Sequence, residues 1–420
     1  MPVARSGSEP RAPRSVVVCG TTFGQVYLEG LKSDPTVRLA GILARDSDRS
    51  RACSRHYGVP LFARVDDLPD VEVACVVVRS GLLGGEGSEL AQRLMARGIN
   101  VLQEHPVHHD ELADCLRHAR RCGVQYHLNA FYPHLPEVRR FIRTAGALLA
   151  VRPARYLDAA CSFQVAYALL DVLCLAVGRI GPWRFEAVPP VSPGAPGPGA
   201  GPLRSLDGVL GGVPVSLRIQ NQLHPVNPDD FSYLLHRITL GTEAGELTLV
   251  TTHGPLVWCG RPAVPREVLN PHETRSYTSA EFQADDVATT LLSAAEVASQ
   301  RTLFREDWPA AARRAVQELC AAIDGHRDPL RRGQHHLALC RMWQAITAAL
   351  GAPALIDDDV LPRALAPDEL AGVRMAADDT EQPDVFETTA AVRGVPRTPP
   401  PPSTVPLSGD RSGKTPPSSE

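Results

Sequence analysis

The sequence predicts an α/β protein: a doubly wound parallel sheet followed by an α+β domain with an open-faced antiparallel sheet. Two patterns carry that expectation. Between residues 15 and 135, short β-branched runs such as SVVVC (15–19) and VACVVVR (73–79) alternate with helical stretches, the order of parallel βα units joined by right-handed crossovers. Between residues 213 and 259, four strand-like segments (Val213 to Leu223, Tyr233 to Gly241, Glu246 to Thr252, Gly254 to Cys259) follow one another with only turns between them.

Residues 1–14 read as a disordered lead-in. Ser15 to Cys19 is an apolar strand that runs directly into Gly20-Thr21-Thr22-Phe23-Gly24-Gln25 and a helix to Lys32. This is the first βα turn of a Rossmann dinucleotide-binding domain, assigned to residues 15–135. Such a turn must be tight, with backbone amides free to face a pyrophosphate. Gly20, Thr21, Thr22, Phe23 and Gly24 are therefore the expected coenzyme contacts, although Thr22 and Gln25 stand where a full G-x-G-x-x-G would carry glycine.

The second strand, Val37 to Leu43, ends in Ala44-Arg45-Asp46-Ser47-Asp48-Arg49-Ser50-Arg51. An NAD-selective site carries an acid at this strand end to bind the ribose 2′-hydroxyl. Arg45, Ser47 and Arg49 instead offer donors for a 2′-phosphate, which predicts NADPH. The competing reading has these arginines capping the next helix or facing solvent, with Asp46 and Asp48 as partners. The next long strand ends in Arg79 and Ser80, also expected at the coenzyme, and a helix follows from Ser88 to Arg97.

Residues 98–136 organise the rest. Ile99 to Gln103 is a buried-type strand that stops at Glu104-His105-Pro106. A helix from about Asp110 to Cys122 ends at Gly123, the usual helix-stop residue, and a strand to Asn129 leads to Phe131-Tyr132-Pro133-His134. Both polar clusters emerge at the carboxyl rim of the sheet, where open α/β sheets bind ligands. His108, His109 and His134 are expected to face solvent. The spacing of His105, His108 and His109 is poor for a tetrahedral site, so no metal is expected.

The second domain spans residues 136–350. It starts with a helix (138–149) and a strand (155–163), and continues with an apolar helix, Val165 to Gly178, that carries one buried-looking acid, Asp171. A Pro/Gly loop lies at 189–202, and three closing helices are expected at about 284–302, 309–324 and 333–350. Residues 351–420 read as a disordered Pro/Ser-rich tail.

The net charge of −4 gives no electrostatic reason to expect nucleic acid or an anionic membrane. Met1 to Arg14 lacks the apolar core of a secretory signal, and no run approaches the ~20 apolar residues of a membrane helix. Ten scattered cysteines without a C-x-x-C pair read as small buried hydrophobes in a reducing, cytoplasmic setting. All basic residues except Lys32 and Lys414 are arginine, so a single arginine is a weak site marker.

A dinucleotide domain followed by an open-faced sheet, with Glu-X-Pro after the fifth strand, resembles the glucose-fructose oxidoreductase/inositol dehydrogenase superfamily. Members usually carry Glu-Lys-Pro, with the lysine as acid/base, and an Asp-x-x-His-like pair. Here His105 takes the lysine position, and Cys174 follows Asp171 where that histidine would stand. The stretches VCGTTFGQVYLEGL, GILARDSDRSR, VLQEHPVHHDEL and YHLNAFYPHLPEVRRFI resemble the thiazolinyl imine reductases of siderophore assembly lines, of the yersiniabactin and pyochelin type.

That resemblance implies NADPH-dependent reduction of a thiazoline C=N to a thiazolidine, on an intermediate tethered to a nonribosomal peptide synthetase carrier domain. It implies His105 beside the nicotinamide, with Glu104, and Tyr132 as the matching general acid. The two form an expected donor pair, in which either residue is the immediate proton source; the plainer reading is that His105 only orients the ligand and Tyr132 packs beneath the nicotinamide. At its ordinary pKa near 6.5, His105 suits donation around neutrality. Asp171 either contacts substrate or caps a buried polar network. A homodimer through the open sheet face is expected. The alternatives are a sugar or cyclitol dehydrogenase, which the missing lysine opposes, and a non-catalytic NADP-binding scaffold, which His105 and Tyr132 oppose.

Overall fold

A computed structural model of the chain describes residues 12–78, 85–189, 201–226, 229–262, 288–293, 298–325, 327, 330–357 and 363–364. The first domain is a six-stranded parallel sheet of β1 (Arg14–Cys19), β2 (Val37–Leu43), β3 (Leu61–Phe62), β4 (Val73–Val76), β5 (Asn100–Glu104) and β6 (Tyr126–Asn129), in the order β3-β2-β1-β4-β5-β6. Helices α1 (Gly24–Leu31), α2 (Asp48–Tyr57), α3 (Gly87–Ala96) and α4 (His109–Cys122) connect the strands. Every residue of β1 and β4 is buried, which is why both read as continuous apolar runs. The strand order reverses between β1 and β4, and this opens a crevice above their carboxyl ends.

The second domain opens with α5 (Pro136–Leu149), β7 (Ala154–Ser162) and α6 (Ala166–Val177). Its sheet then takes in β8 (Trp183–Ala187), β9 (Leu203–Leu210) and β10 (Val213–Gln220). Past the short β11 (Gln222–Leu223) come β12 (His236–Thr242), β13 (Gly245–Leu249), β14 (Leu256–Gly260) and β15 (Thr289–Leu291). The order is β15-β14-β13-β12-β7-β10-β9-β8. The sheet is mixed rather than purely antiparallel, because β10 pairs parallel with β7 after the crossover through α6. β8 and β9 add to the strands expected from the sequence.

Short α7 (Gln300–Thr302) and one π turn lead into α8 (Trp308–Asp324), then α9 (Leu330–Leu350) and β16 (Ala354–Leu355). A helix over 284–302 is contradicted where the chain is described: Thr289-Thr290-Leu291 pairs with β14 as an edge strand, which suits β-branched threonines. Two further boundaries move. Arg14 begins β1, 4 % exposed, and its guanidinium pairs with Glu72 and Asp324. β16 pairs with β11, so the ordered fold continues past residue 350. Most of the expected lead-in and tail, and most of the 189–202 loop, lie outside the described residues.

The last helices return to the first domain. A Cβ on Gly30 would lie 2.2 Å from the Pro309 carbonyl oxygen, so α1 and α8 approach at backbone distance, and glycine is the residue that permits it.

Candidate active site

The crevice between β1 and β4 is shaped for a dinucleotide at its glycine turn. Gly20 has φ +99°, and a Cβ there would sit 2.6 Å from the Val77 carbonyl oxygen; any other residue is both strained and blocked. At the end of β2, Ser47 caps α2 by accepting from Ser50 N, and Arg49 donates to Thr22 Oγ1 at 3.1 Å. Arg45 is exposed, and among the described residues no partner holds its guanidinium. Arg51 is the residue that pairs with Asp46 and Asp48. Gly20 to Gly24, Arg45, Ser47 and Arg49 are thus brought to one rim; Arg79 and Ser80 lie outside the described residues.

At the end of β5, Glu104 and His105 have side chains only 11 % and 7 % exposed. Tyr27 donates its hydroxyl to Glu104 Oε2, and Asn129 Nδ2 donates to Tyr27 Oη at 2.7 Å and to Glu104 Oε2 at 3.2 Å. Burial outweighs these bonds and raises the Glu104 pKa to about 8, so the acid keeps its proton at neutrality. Burial pushes His105 down to about 4, with Asp171 opposing. His105 is therefore a neutral imidazole at pH 7. This corrects the expectation of a group poised near 6.5. Two atoms at this rim, Glu104 Oε1 and His105 Nδ1, are buried with no hydrogen-bond partner.

Tyr132 reaches His105 through an unusual bend. Phe131 has φ 58° and ψ −61°, the strained form of a γ-turn, closed by Tyr132 N donating to the Ala130 carbonyl at 2.7 Å. Asn129 Oδ1 accepts from Phe131 N at 3.1 Å and braces it. The Tyr132 and His105 ring centroids are 6.3 Å apart, and His236 lies edge-on to Tyr132 at 4.7 Å. Burial, then the charges of Asp229 and Glu104, push the Tyr132 phenol well above its ordinary value, so it holds its proton throughout the physiological range.

The sequence reading missed what surrounds this pair. Tyr167 of α6 stacks on His105 at 5.6 Å, and its hydroxyl lies 3.0 Å from His336 Nδ1. Phe23, Phe131 and Trp308 pack edge to face with centroids 5.0–5.7 Å apart. A run of apolar residues in α6 gave no local reason to single out Tyr167, and Trp308 comes from a helix far along the chain.

Asp171, one turn beyond Tyr167, is buried and accepts from His335 Nε2 at 2.7 Å. Burial opposes its ionisation, but that bond and the charges of His336, His335 and Arg332 hold it below the usual carboxylate value. The histidine that Cys174 does not supply thus comes from α9. Asp171, His335 and His336 present ligand atoms within 4.8 Å of one another, yet the bonds of Asp171 to His335 and of His336 to Tyr167 already use this set. His134 is buried, 8 % exposed and 3.5 Å from Glu318, rather than facing solvent. His108 is exposed, and His109 lies beside Asp110 and Arg341.

Two family models match the chain. Residues 14–130 match an oxidoreductase family with an NAD-binding Rossmann fold. Residues 152–259 match the C-terminal model described as thiazolinyl imine reductase, Irp3-like. No curated protein matches the chain. Among solved structures, a 3-ketoreductase from Actinomadura kijaniata in complex with NADP superposes with a TM-score of 0.56 at 14% identity, covering 82% of this chain and 99% of that one. UDP-N-acetylglucosamine 3-dehydrogenase from Acidithiobacillus ferrooxidans gives 0.54 at 14%, covering 81% and 99%. Biliverdin reductase from Synechocystis, in complex with biliverdin and NADP+, gives 0.53 at 13%, covering 81% and 100%. At such identities the likeness is one of fold. Among the described residues no helix is long and apolar enough to cross a membrane.

Proposed function

We propose that this NAD(P)-dependent oxidoreductase, which carries the NAD-binding Rossmann domain of its family, reduces the C=N of a thiazoline to a thiazolidine with NADPH. The observation that carries the reading is a hydrogen-holding, uncharged pair, Tyr132 and His105, in a chain whose second domain matches the Irp3-like imine reductases.

Imine reduction needs a hydride at carbon and a proton at nitrogen. The nicotinamide, when bound, supplies the hydride. Gly20 to Gly24 would hold the pyrophosphate, and Arg45 and Arg49 a 2′-phosphate, which is the reason for choosing NADPH. Tyr132 holds a proton at Oη and delivers it to the ring nitrogen. His105, neutral and stacked on Tyr167, offers its unpartnered Nδ1 to orient the substrate. Because Glu104 stays protonated, its carboxyl adds no negative charge beside the reacting nitrogen, and Phe131 carries the aromatic cluster of Phe23 and Trp308 up to Tyr132. Between Tyr132 and His105 as proton source, a histidine lowered to about 4 favours the tyrosine.

The substrate is assigned to a carrier domain of a nonribosomal peptide synthetase, and the protein to a cytoplasmic homodimer formed through the sheet face that bears Tyr156 and Val209, 37 % and 36 % exposed. Incubation with NADPH and a 2-hydroxyphenyl-thiazoline thioester, read by mass spectrometry, should give a product heavier by two hydrogens. Oxidation of cyclitols with NADP+ instead would favour the dehydrogenase alternative. Tight NADPH binding without either reaction would favour the scaffold.

A further inference from the structure

On the outer side of the edge strand β6 lies a cavity of about 940 Å³, walled by α5, α6, the end of α8 and the start of α9. Neither the glycine turn nor His105 or Tyr132 lines it. Six guanidinium groups do: Arg139 and Arg143 from α5, Arg179 after α6, Arg327 between α8 and α9, and Arg331 and Arg332 in the first turn of α9. In a chain of net charge −4, this is a local excess of positive charge that composition does not account for.

The excess is not neutralised by the described neighbours. Among the described lining residues Asp171 and Glu318 are the only carboxylates. Asp171 is taken by His335 at 2.7 Å, and Glu318 is shared by Arg332 at 3.4 Å and His134 at 3.5 Å. Arg139 shows the strain: its guanidinium is held below its ordinary value by burial, then by repulsion from Arg314 and Arg143, with Glu318 opposing. Arg331 and Arg332 also stand at the amino end of a 21-residue helix that carries no acid in its first turn, where the helix dipole is itself positive.

Buried polar atoms point to what completes the site. His127, 5 % exposed, lines the cavity with Nδ1 lacking any hydrogen-bond partner, and Arg332 Nε is likewise buried and unpaired. An orphaned buried donor costs free energy until something accepts from it. Forked guanidinium donors at a helix amino end match the tetrahedral oxygens of a phosphate, and the volume suits an organic ligand rather than a bare ion.

We infer that this cavity binds a phosphate ester, through Arg143, Arg331, Arg332 and His127, at a site separate from the coenzyme crevice. Its inner wall includes His336, which pairs with the Tyr167 that stacks on His105. An occupant would therefore rest two side chains from the reacting rim. The phosphate could belong to a free metabolite or to the pantetheine arm of a carrier protein, and the inference does not depend on the imine substrate being right.

The test is calorimetric titration of the full chain with pantetheine 4′-phosphate, pantetheine and inorganic phosphate. The phosphorylated arm should bind at least about tenfold more tightly than pantetheine, and binding should weaken as salt rises. The double variant Arg143→Glu/Arg331→Glu, both exposed and outside the coenzyme rim, should lose that binding while NADPH titrates as in wild type, which shows that the variant is folded. Binding of inorganic phosphate equal to that of the arm would assign the site to free phosphates. Equal affinity for pantetheine and its phosphate, no binding of any phosphate probe, or binding unaffected by the double variant would overturn the inference. None of these readings requires turnover, so failure of imine reduction would be seen separately.

Discussion

Tyr167 and His105 stack with centroids 5.6 Å apart and planes 18° from parallel, and this contact joins a helix of the second domain to the turn after β5 of the dinucleotide-binding sheet. The histidine is oriented by the tyrosine face, and the tyrosine by its hydroxyl against His336 Nδ1. Tyr167→Phe should keep the stack and lose one buried hydrogen bond, costing about 1–2 kcal/mol of stability with kcat near wild type. Tyr167→Ala should cost about 3–5 kcal/mol and lower kcat as His105 is released. Paired denaturant melts and steady-state rates measure both, and an unchanged kcat in a folded Tyr167→Ala would remove the orienting role.

Acid should unfold this protein early. Burial lowers His105 and His134 to about 4 and His127, His236 and His336 to about 3, each against an unfolded value near 6.5. Between those limits the unfolded chain binds more protons, so stability is full above about 6.5 and falls as pH drops, by about 1 kcal/mol per pH unit for each group. Glu104 acts in the opposite direction. Its pKa, raised from 4.5 to about 8, gives stability that is full below 4.5 and lost as pH rises toward 8. With five histidines against one carboxyl, the two slopes balance about half a unit above the unfolded histidine value, so Tm should peak near pH 7. The decline from there to pH 8 should flatten in Glu104→Gln, and a melt profile flat from pH 4 to 8 would contradict these burials.

The choice between coenzymes rests on Arg45 and Arg49. Arg45→Ala/Arg49→Ala should raise KM for NADPH by about tenfold to a hundredfold, the loss of one or two charge-assisted contacts, and leave KM for NADH within about twofold. Equal effects on both coenzymes would mean that the arginines serve the α2 terminus only.

Gly20→Ala should be poorly tolerated. The residue combines φ +99° with a 2.6 Å approach to the Val77 carbonyl oxygen, so the substitution should cost about 1–3 kcal/mol and weaken NADPH binding as the turn shifts. Dissociation constants from coenzyme fluorescence would report it.

The parallel sheet was legible because its central strands β1 and β4 are buried, largely apolar runs, and the Gly20 turn and the His105–Tyr132 rim followed from strand ends alone. The rest depended on distance along the chain. His335 reaches Asp171, and Trp308 reaches Phe23 and Phe131, across more than a hundred residues that no local periodicity links. The mixed sheet was misread because β10 returns to pair with β7 after a long excursion, and its pattern of alternation is the same for either direction of pairing. The expected solvent exposure of His134 failed because α8 covers it through Glu318.

Tyr132 as proton source, with a neutral His105 beside it, is the centre of the proposed mechanism. Single-turnover oxidation of NADPH by the thiazoline thioester, compared among wild type, Tyr132→Phe and His105→Asn, tests this most directly. Tyr132→Phe should slow the step by about a hundredfold to ten-thousandfold with coenzyme affinity unchanged, and His105→Asn, which keeps a polar contact, should cost about tenfold or less. A Tyr132→Phe enzyme that turns over at the wild-type rate, or a larger loss in His105→Asn than in Tyr132→Phe, would contradict the assignment.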